Sequence, residues 1–158
     1  FYSLELAHNN NVTTILNPAP AAIINKSIFP LIDYFTPNET EASFYVGHQV
    51  ENTLDAKKAS DQFLNWGIKN IIITMGEKGA YFANKDEQFH APIIKLEKPV
   101  VDTTGAGDAF NAGFAVALTE KQNINDAIKF ASATAGLSTT KIGTANSMPI
   151  RQEIDKLL

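Results

Sequence analysis

The chain has 158 residues, 44% of them hydrophobic, enough to bury one core and too few for several. A formal net charge of −4 argues against a nucleic-acid partner held by bulk electrostatics, and the absence of cysteine excludes disulfides and cysteine-ligated zinc or iron–sulfur centres. No apolar run approaches the roughly 20 residues that cross a bilayer and no leader-type pattern opens the chain, so the expectation is a single cytoplasmic α/β domain over residues 1–158 with no membrane partner.

The first residues, Phe1-Tyr2-Ser3-Leu4-Glu5-Leu6-Ala7-His8, lack a methionine and read like the last turns of a helix, which suggests a piece of a longer protein. Residues 12–16 are β-branched and apolar and are stopped by Asn17-Pro18-Ala19-Pro20, the pattern of a buried strand followed by a loop. After a short helical stretch, a second strand is expected to end near Phe35, closed by Thr36-Pro37-Asn38. Glu39 and Glu41 then fall in the first turn of a helix, where acidic residues are favoured.

Between Thr53 and Trp66, the residues Ala56, Ala59, Phe63 and Trp66 recur at helical spacing and Gly67 follows, marking an amphipathic helix with a glycine stop. Residues 71–75 form a continuous apolar run, as in a strand of a parallel sheet. Gly76-Glu77-Lys78-Gly79 turns the chain into two further strands, over residues 80–83 and 88–91, which read as hairpin strands at a sheet edge.

A strand-like segment over residues 95–101 leads into Asp102-Thr103-Thr104-Gly105-Ala106-Gly107-Asp108-Ala109-Phe110, where a long apolar helix begins. Gly105 and Gly107 permit a tight turn, and the amides and dipole of the helix N-terminus favour an anion such as a phosphate. Asp108 is out of place there, because a carboxylate repels a phosphate unless it has another task. The obvious task is to orient or deprotonate a hydroxyl that attacks that phosphate. A plain strand-to-helix turn with a capping Asp is the simpler alternative. A dinucleotide fingerprint fits less well, since Phe110 stands where a third glycine belongs.

The next helix starts at Ile124, with Asn123 as cap and with Ile124, Ala127, Ile128, Ala131 and Ala135 along its buried stripe. A polar loop over residues 141–147 precedes a final helix from about Pro149. His8, His48 and His90 lack ligand spacing and receive no role, and Trp66 and the phenylalanines are expected in the core. Strands alternating with helices point to a largely parallel sheet with ligands beyond the strand carboxyl ends, so the loops at Asn17, Asn38, Gly76 and Gly105 are candidates for one crevice.

The segment from Asp102 to Phe114 (Asp-Thr-Thr-Gly-Ala-Gly-Asp-Ala-Phe-Asn-Ala-Gly-Phe) resembles the C-terminal signature of the carbohydrate-kinase family that contains ribokinase, fructokinase and adenosine kinase. Asn17-Pro18-Ala19-Pro20 and Thr36-Pro37-Asn38-Glu39-Thr40-Glu41 are similar to segments of the same family. The resemblance covers the C-terminal half of such an enzyme, without the glycine-rich sugar-binding segment and the β-strand lid. It implies a Rossmann-like three-layer α/β/α fold of the ribokinase type, mainly parallel with a hairpin edge, truncated at its N-terminus.

The resemblance further implies phosphorylation of a sugar primary hydroxyl by ATP, with ribose to ribose 5-phosphate as the first expectation. Fructokinase, another sugar or nucleoside kinase, or a nucleotide-binding module without turnover remain as alternatives. Asp108 would be the catalytic base, with Gly105, Ala106 and Gly107 forming an anion hole. Asn38 and Glu41 would organise Mg2+ and the phosphates, although a helix cap is the alternative for both. Thr74, Gly76 and Gly79 would line the nucleotide, or simply end a strand. Asp102, Thr104, Ser138, Lys141, Gly143 and Ser147 would form a loop for a monovalent cation such as K+, mostly through backbone oxygens, or an ordinary linker. The parent enzyme would be a homodimer through the missing lid, and the isolated chain is expected to be inactive.

Overall fold

The structure, a computed structural model, describes residues 2–158. They divide into two compact units, one ending at His90 and one starting at Ala91. No helix among the described residues is long and apolar enough to cross a membrane.

In the first unit, α1 (Tyr2–Asn9) precedes β1 (Ile15–Leu16), and a 3-10 turn over Lys26–Leu31 leads to β2 (Tyr34–Phe35). Then come α2 (Glu39–Val46), α3 (Thr53–Asn65), β3 (Asn70–Thr74), β4 (Ala80–Asn84) and β5 (Gln88–Ala91). The five strands lie in sequence order: β1–β2 and β2–β3 pair parallel, β3–β4 antiparallel. This is the expected parallel sheet with a hairpin at its edge. The first strand is shorter than residues 12–16 suggested, and Val12 is exposed, because the Thr14 amide is taken by the Asp33 carboxylate (2.9 Å) before the ladder begins.

The core of this unit is aromatic. Phe35 meets Phe63 edge to face at 5.2 Å, and Trp66 stacks on Phe29 at 5.5 Å. Phe29, Phe35 and Phe63 are almost wholly buried, each contributing on the order of 1.5–3 kcal/mol by area. Phe44 does not join them and is half exposed. Asn52 caps α3 by accepting the amides of Leu54 and Asp55, and Ala56, Ala59 and Phe63 form its buried stripe as the spacing predicts.

The second unit holds α4 (Ala106–Thr119), α5 (Ile124–Ser138) and α6 (Arg151–Leu157). Helices α4 and α5 pack closely through small residues. A Cβ on Gly113 would sit 2.6 Å from Thr134 Oγ1 and 3.1 Å from Ala131 Cα, so only glycine fits that crossing. Asn123 caps α5, its side chain accepting the Asp126 amide at 3.0 Å.

The expected strand over residues 95–101 is absent; the backbone there is irregular. Its end is anchored differently, with the amides of Val101 and Asp102 both donating to the Thr139 carbonyl at the end of α5 (2.7 and 3.1 Å). Val100 and Val101 are more than half exposed, so the β-branched pair that suggested a strand has no ladder to join among the described residues.

Candidate active site

The candidate residues of the first unit collect at the carboxyl ends of the parallel strands. The chain leaves β2 through Thr36 and Pro37, and the Thr74 amide donates to the Pro37 carbonyl at 3.0 Å. Asn38 and Thr74 thereby lie side by side as a parallel bridge one step beyond the strands. Asn38 is the N-cap of α2. Its Oδ1 accepts the Glu41 amide, and Glu41 Oε2 accepts the Asn38 amide, each at 2.8 Å. This reciprocal capping box holds Glu41 in a buried position and fixes both side chains without any ligand.

Beyond Thr74 the chain makes a single 3-10 turn over Gly76–Lys78. The Met75 amide donates to the Gly79 carbonyl (2.8 Å) and the Gly79 amide to the Gly76 carbonyl (3.1 Å), so the turn is closed at its base. Gly76 has open space around it, so its backbone can be approached closely. Lys78 reaches from this turn to Glu39 in the first turn of α2, at 2.8 Å. That bond holds the ammonium above its ordinary value, with the neighbouring acidic charges adding to the effect. Asn38, Glu41, Thr74, Gly76 and Gly79 thus belong to one local assembly, in line with the expectation that the Asn38 and Gly76 loops follow neighbouring strands.

In the second unit, Gly105 is the N-cap of α4 with φ +76°, in the left-handed region, and its missing Cβ leaves room for Thr144, whose Cγ2 would lie 3.0 Å away. The Ala106 amide closes on the Thr103 carbonyl (3.1 Å) and the Ala109 amide on the Gly105 carbonyl (2.9 Å). Between them, the amides of Gly107 and Asp108 have no partner in the main-chain ladder among the described residues. Asp108 stands in the same first turn and is exposed, and Gly107 has open space on its side-chain face. An anion facing this turn would meet two amides and the dipole end, with a carboxylate beside it.

The loop residues expected to hold a monovalent cation are tied to this turn. Asp102 Oδ1 accepts the Thr104 amide and Oδ2 accepts the Gly143 amide, both at 2.9 Å. The Gly143 amide, followed by the bonds from Thr104, holds the Asp102 carboxyl at about 2, well below its ordinary value. Ser147 is fully buried and donates to the Thr144 carbonyl at 2.6 Å. The Ser138 hydroxyl turns back on the Ala135 carbonyl and Lys141 pairs with Glu153, so neither side chain is directed to a cation by its bonding. What these positions offer is the Asp102 carboxylate and main-chain carbonyls, an all-oxygen set suited to a hard cation.

Among the described residues no three His, Cys, Asp or Glu side chains form a metal cage. Sequence reasoning missed Thr144, whose packing over Gly105 joins the 141–147 loop to the turn that opens α4, and Lys78, which links two of the expected segments. A residue at contact distance from a glycine with positive φ leaves no trace in sequence spacing.

Comparison with known proteins agrees with these placements of elements. A family model described as pfkB family carbohydrate kinase matches residues 3–151. A ribokinase of Haemophilus influenzae is 43% identical over 150 residues, which are 94% of this chain and 48% of that protein. The crystal structure of ribokinase from Thermotoga maritima superposes with a TM-score of 0.87 at 41% identity, covering 98% of this chain and 52% of that one. The structure of Arabidopsis thaliana ribokinase complexed with ribose and ATP gives a TM-score of 0.92 at 32% identity, covering 98% and 50%. The fold is therefore of the ribokinase type, and the chain spans about half the length of the curated relatives it matches. On the family match over nearly its whole length, this chain belongs to the pfkB family of carbohydrate kinases.

Proposed function

We propose that the whole protein transfers the γ-phosphoryl group of ATP to a primary hydroxyl of a sugar, with ribose as the substrate and ribose 5-phosphate as the product. The observation that carries this reading is the first turn of α4: two amides without ladder partners, at Gly107 and Asp108, beside the exposed Asp108 carboxylate. The likeness to ribokinases, one of them complexed with ribose and ATP, supports the choice of substrate and nucleotide.

In this mechanism the hydroxyl oxygen attacks the γ-phosphorus, the bond to the β-phosphate oxygen breaks, and ADP leaves. Asp108 orients the hydroxyl and accepts its proton as the new bond raises its acidity. Gly105, Ala106 and Gly107 shape the anion hole, in which the partnerless amides of Gly107 and Asp108 face the transferred group, where developing charge is stabilised without reorganisation. Asn38 and Glu41 serve the magnesium-bound phosphates, and Thr74, Gly76 and Gly79 the rest of the nucleotide. Mg2+, when bound, neutralises charge on the β- and γ-oxygens.

A monovalent cation, K+ by our reading, would be held by the Asp102 carboxylate and by oxygens, mostly main-chain, at Thr104, Ser138, Lys141, Gly143 and Ser147. There it would supply charge that fixes the loop whose Thr144 packs on Gly105. The same reading includes a homodimer, action in the cytoplasm and no nucleic-acid partner. The test is sugar-dependent ADP formation from ATP and Mg2+ by the intact protein. Ribose-dependent turnover is expected, lost when only residues 1–158 are supplied, because an acceptor that is not held is not attacked. Turnover with no sugar dependence in the intact protein would refute it.

A further inference from the structure

The turn Gly76–Lys78 and the first turn of α2 are separate in sequence, yet one side chain spans them. Lys78 Nζ donates to Glu39 Oε1 at 2.8 Å and to the Glu51 carbonyl at 2.7 Å, taking two of its three protons into the protein. On the other side of the same residue, His90 Nε2 lies 2.6 Å from the Lys78 carbonyl. A carbonyl can only accept, so Nε2 carries the proton in this contact. Lys78 is thus gripped at both ends, its ammonium by the start of α2 and the segment that follows it, its carbonyl by β5. Glu39 immediately follows Asn38, and Glu41, two residues further on, is locked in the capping box.

We propose that Lys78 and Glu39 form a strap, braced by His90, that sets the Gly76–Gly79 turn against Asn38 and Glu41, making them positioning residues for nucleotide binding. This rests on the reading of those segments as nucleotide-facing. The strap explains why a basic residue beside a glycine turn does not simply serve as a free phosphate contact: its charge is already directed to Glu39. A single exposed ion pair contributes little, but this one adds a charge-assisted bond to a carbonyl and ties to α2 a turn whose main-chain bonds close only on itself.

The test uses Lys78→Met, Glu39→Gln, the double variant and Lys78→Arg in the intact protein. Two quantities are read: affinity for ATP with Mg2+ by titration, and amide exchange at Lys78 and Gly79, whose amides bond within the turn. A strap predicts roughly 5-fold weaker binding and faster exchange at both amides in each single variant, no further loss in the double variant, and recovery with Lys78→Arg. If Lys78 instead touches phosphate directly, Glu39→Gln frees it and leaves affinity unchanged or tighter, which would overturn the proposal. Unchanged exchange in Lys78→Met would overturn it too, whether or not the wild type binds nucleotide. Failure of the wild type to bind ATP, with exchange accelerated as predicted, would refute the kinase reading and leave the strap standing as a fold element.

Discussion

Asp102 and Gly143 are joined across 41 positions of sequence by a 2.9 Å bond from the Gly143 amide to Asp102 Oδ2, while the other carboxylate oxygen takes the amide of Thr104. One side chain therefore ties the turn that opens α4 to the 141–147 loop, and Thr144 completes the link by packing over Gly105.

Asp102→Asn would present an amide nitrogen to one of these two donors and break that bond. The expected result is faster hydrogen exchange in residues 141–147, together with a several-fold rise in the potassium concentration needed for half-maximal turnover. Hydrogen exchange checks the first part, and turnover titrated with potassium checks the second.

Asn38 can be separated into cap and ligand. Asn38→Ala should lower stability by about 1 kcal/mol, whereas Asn38→Ser retains a capping oxygen and should stay within about 0.5 kcal/mol of wild type. If the Asn38 amide also serves magnesium-bound phosphate, both variants should bind ATP with Mg2+ several-fold more weakly. Thermal melts and nucleotide titration on the same samples distinguish the two contributions.

Gly113→Ala places a methyl group 2.6 Å from Thr134 Oγ1. Overpacking of about 1–3 kcal/mol should outweigh the helix-propensity gain of about 1 kcal/mol, giving net destabilisation. Thr134→Ala in the same chain should recover part of the loss, since Ala131 still crowds the site. Denaturant melts of the two single variants and the double variant would measure the coupling.

The amino ends of the strands are bolted by Asp33. Its carboxylate accepts the Thr14 amide at 2.9 Å and the Thr14 hydroxyl at 3.1 Å, and pairs with Lys69 at 2.7 Å. Burial pushes this carboxyl up, but the bonds from Lys69 and Thr14 outweigh it, and the group lies below its ordinary value of 3.8. A carboxyl whose value is depressed on folding stabilises the fold above its unfolded value, and that contribution disappears as pH falls below about 4. Asp33→Asn should therefore cost stability at pH 7, by about 1–3 kcal/mol for the lost charge-assisted bonds, and the gap to wild type should narrow on acidification. Melting temperatures of both proteins between pH 7 and pH 2 test the sign.

Much of this architecture could be read from the sequence where one physical signal dominated. Helix α3 followed from Ala56, Ala59 and Phe63, and β3 from its isoleucines, because core burial fixes both periods. The Asn38 and Glu41 pair was legible as a helix start, and the structure turns that start into a reciprocal box. The segment before Asp102 misled because β-branched residues express a preference for strand, while the actual anchor, the Thr139 carbonyl, comes from far along the chain. Asp33 with Thr14 and Lys69, and Lys78 with Glu39, were invisible for the same reason. Polar pairs between elements carry no periodicity.

In the proposed mechanism Asp108 takes the proton of the attacking hydroxyl while the amides beside it hold the phosphoryl group. Turnover and ATP affinity of Asp108→Asn, measured together in the intact protein, test it most directly. The expected result is a fall in kcat of about 100- to 10,000-fold with ATP affinity nearly unchanged. Turnover comparable to wild type would contradict it.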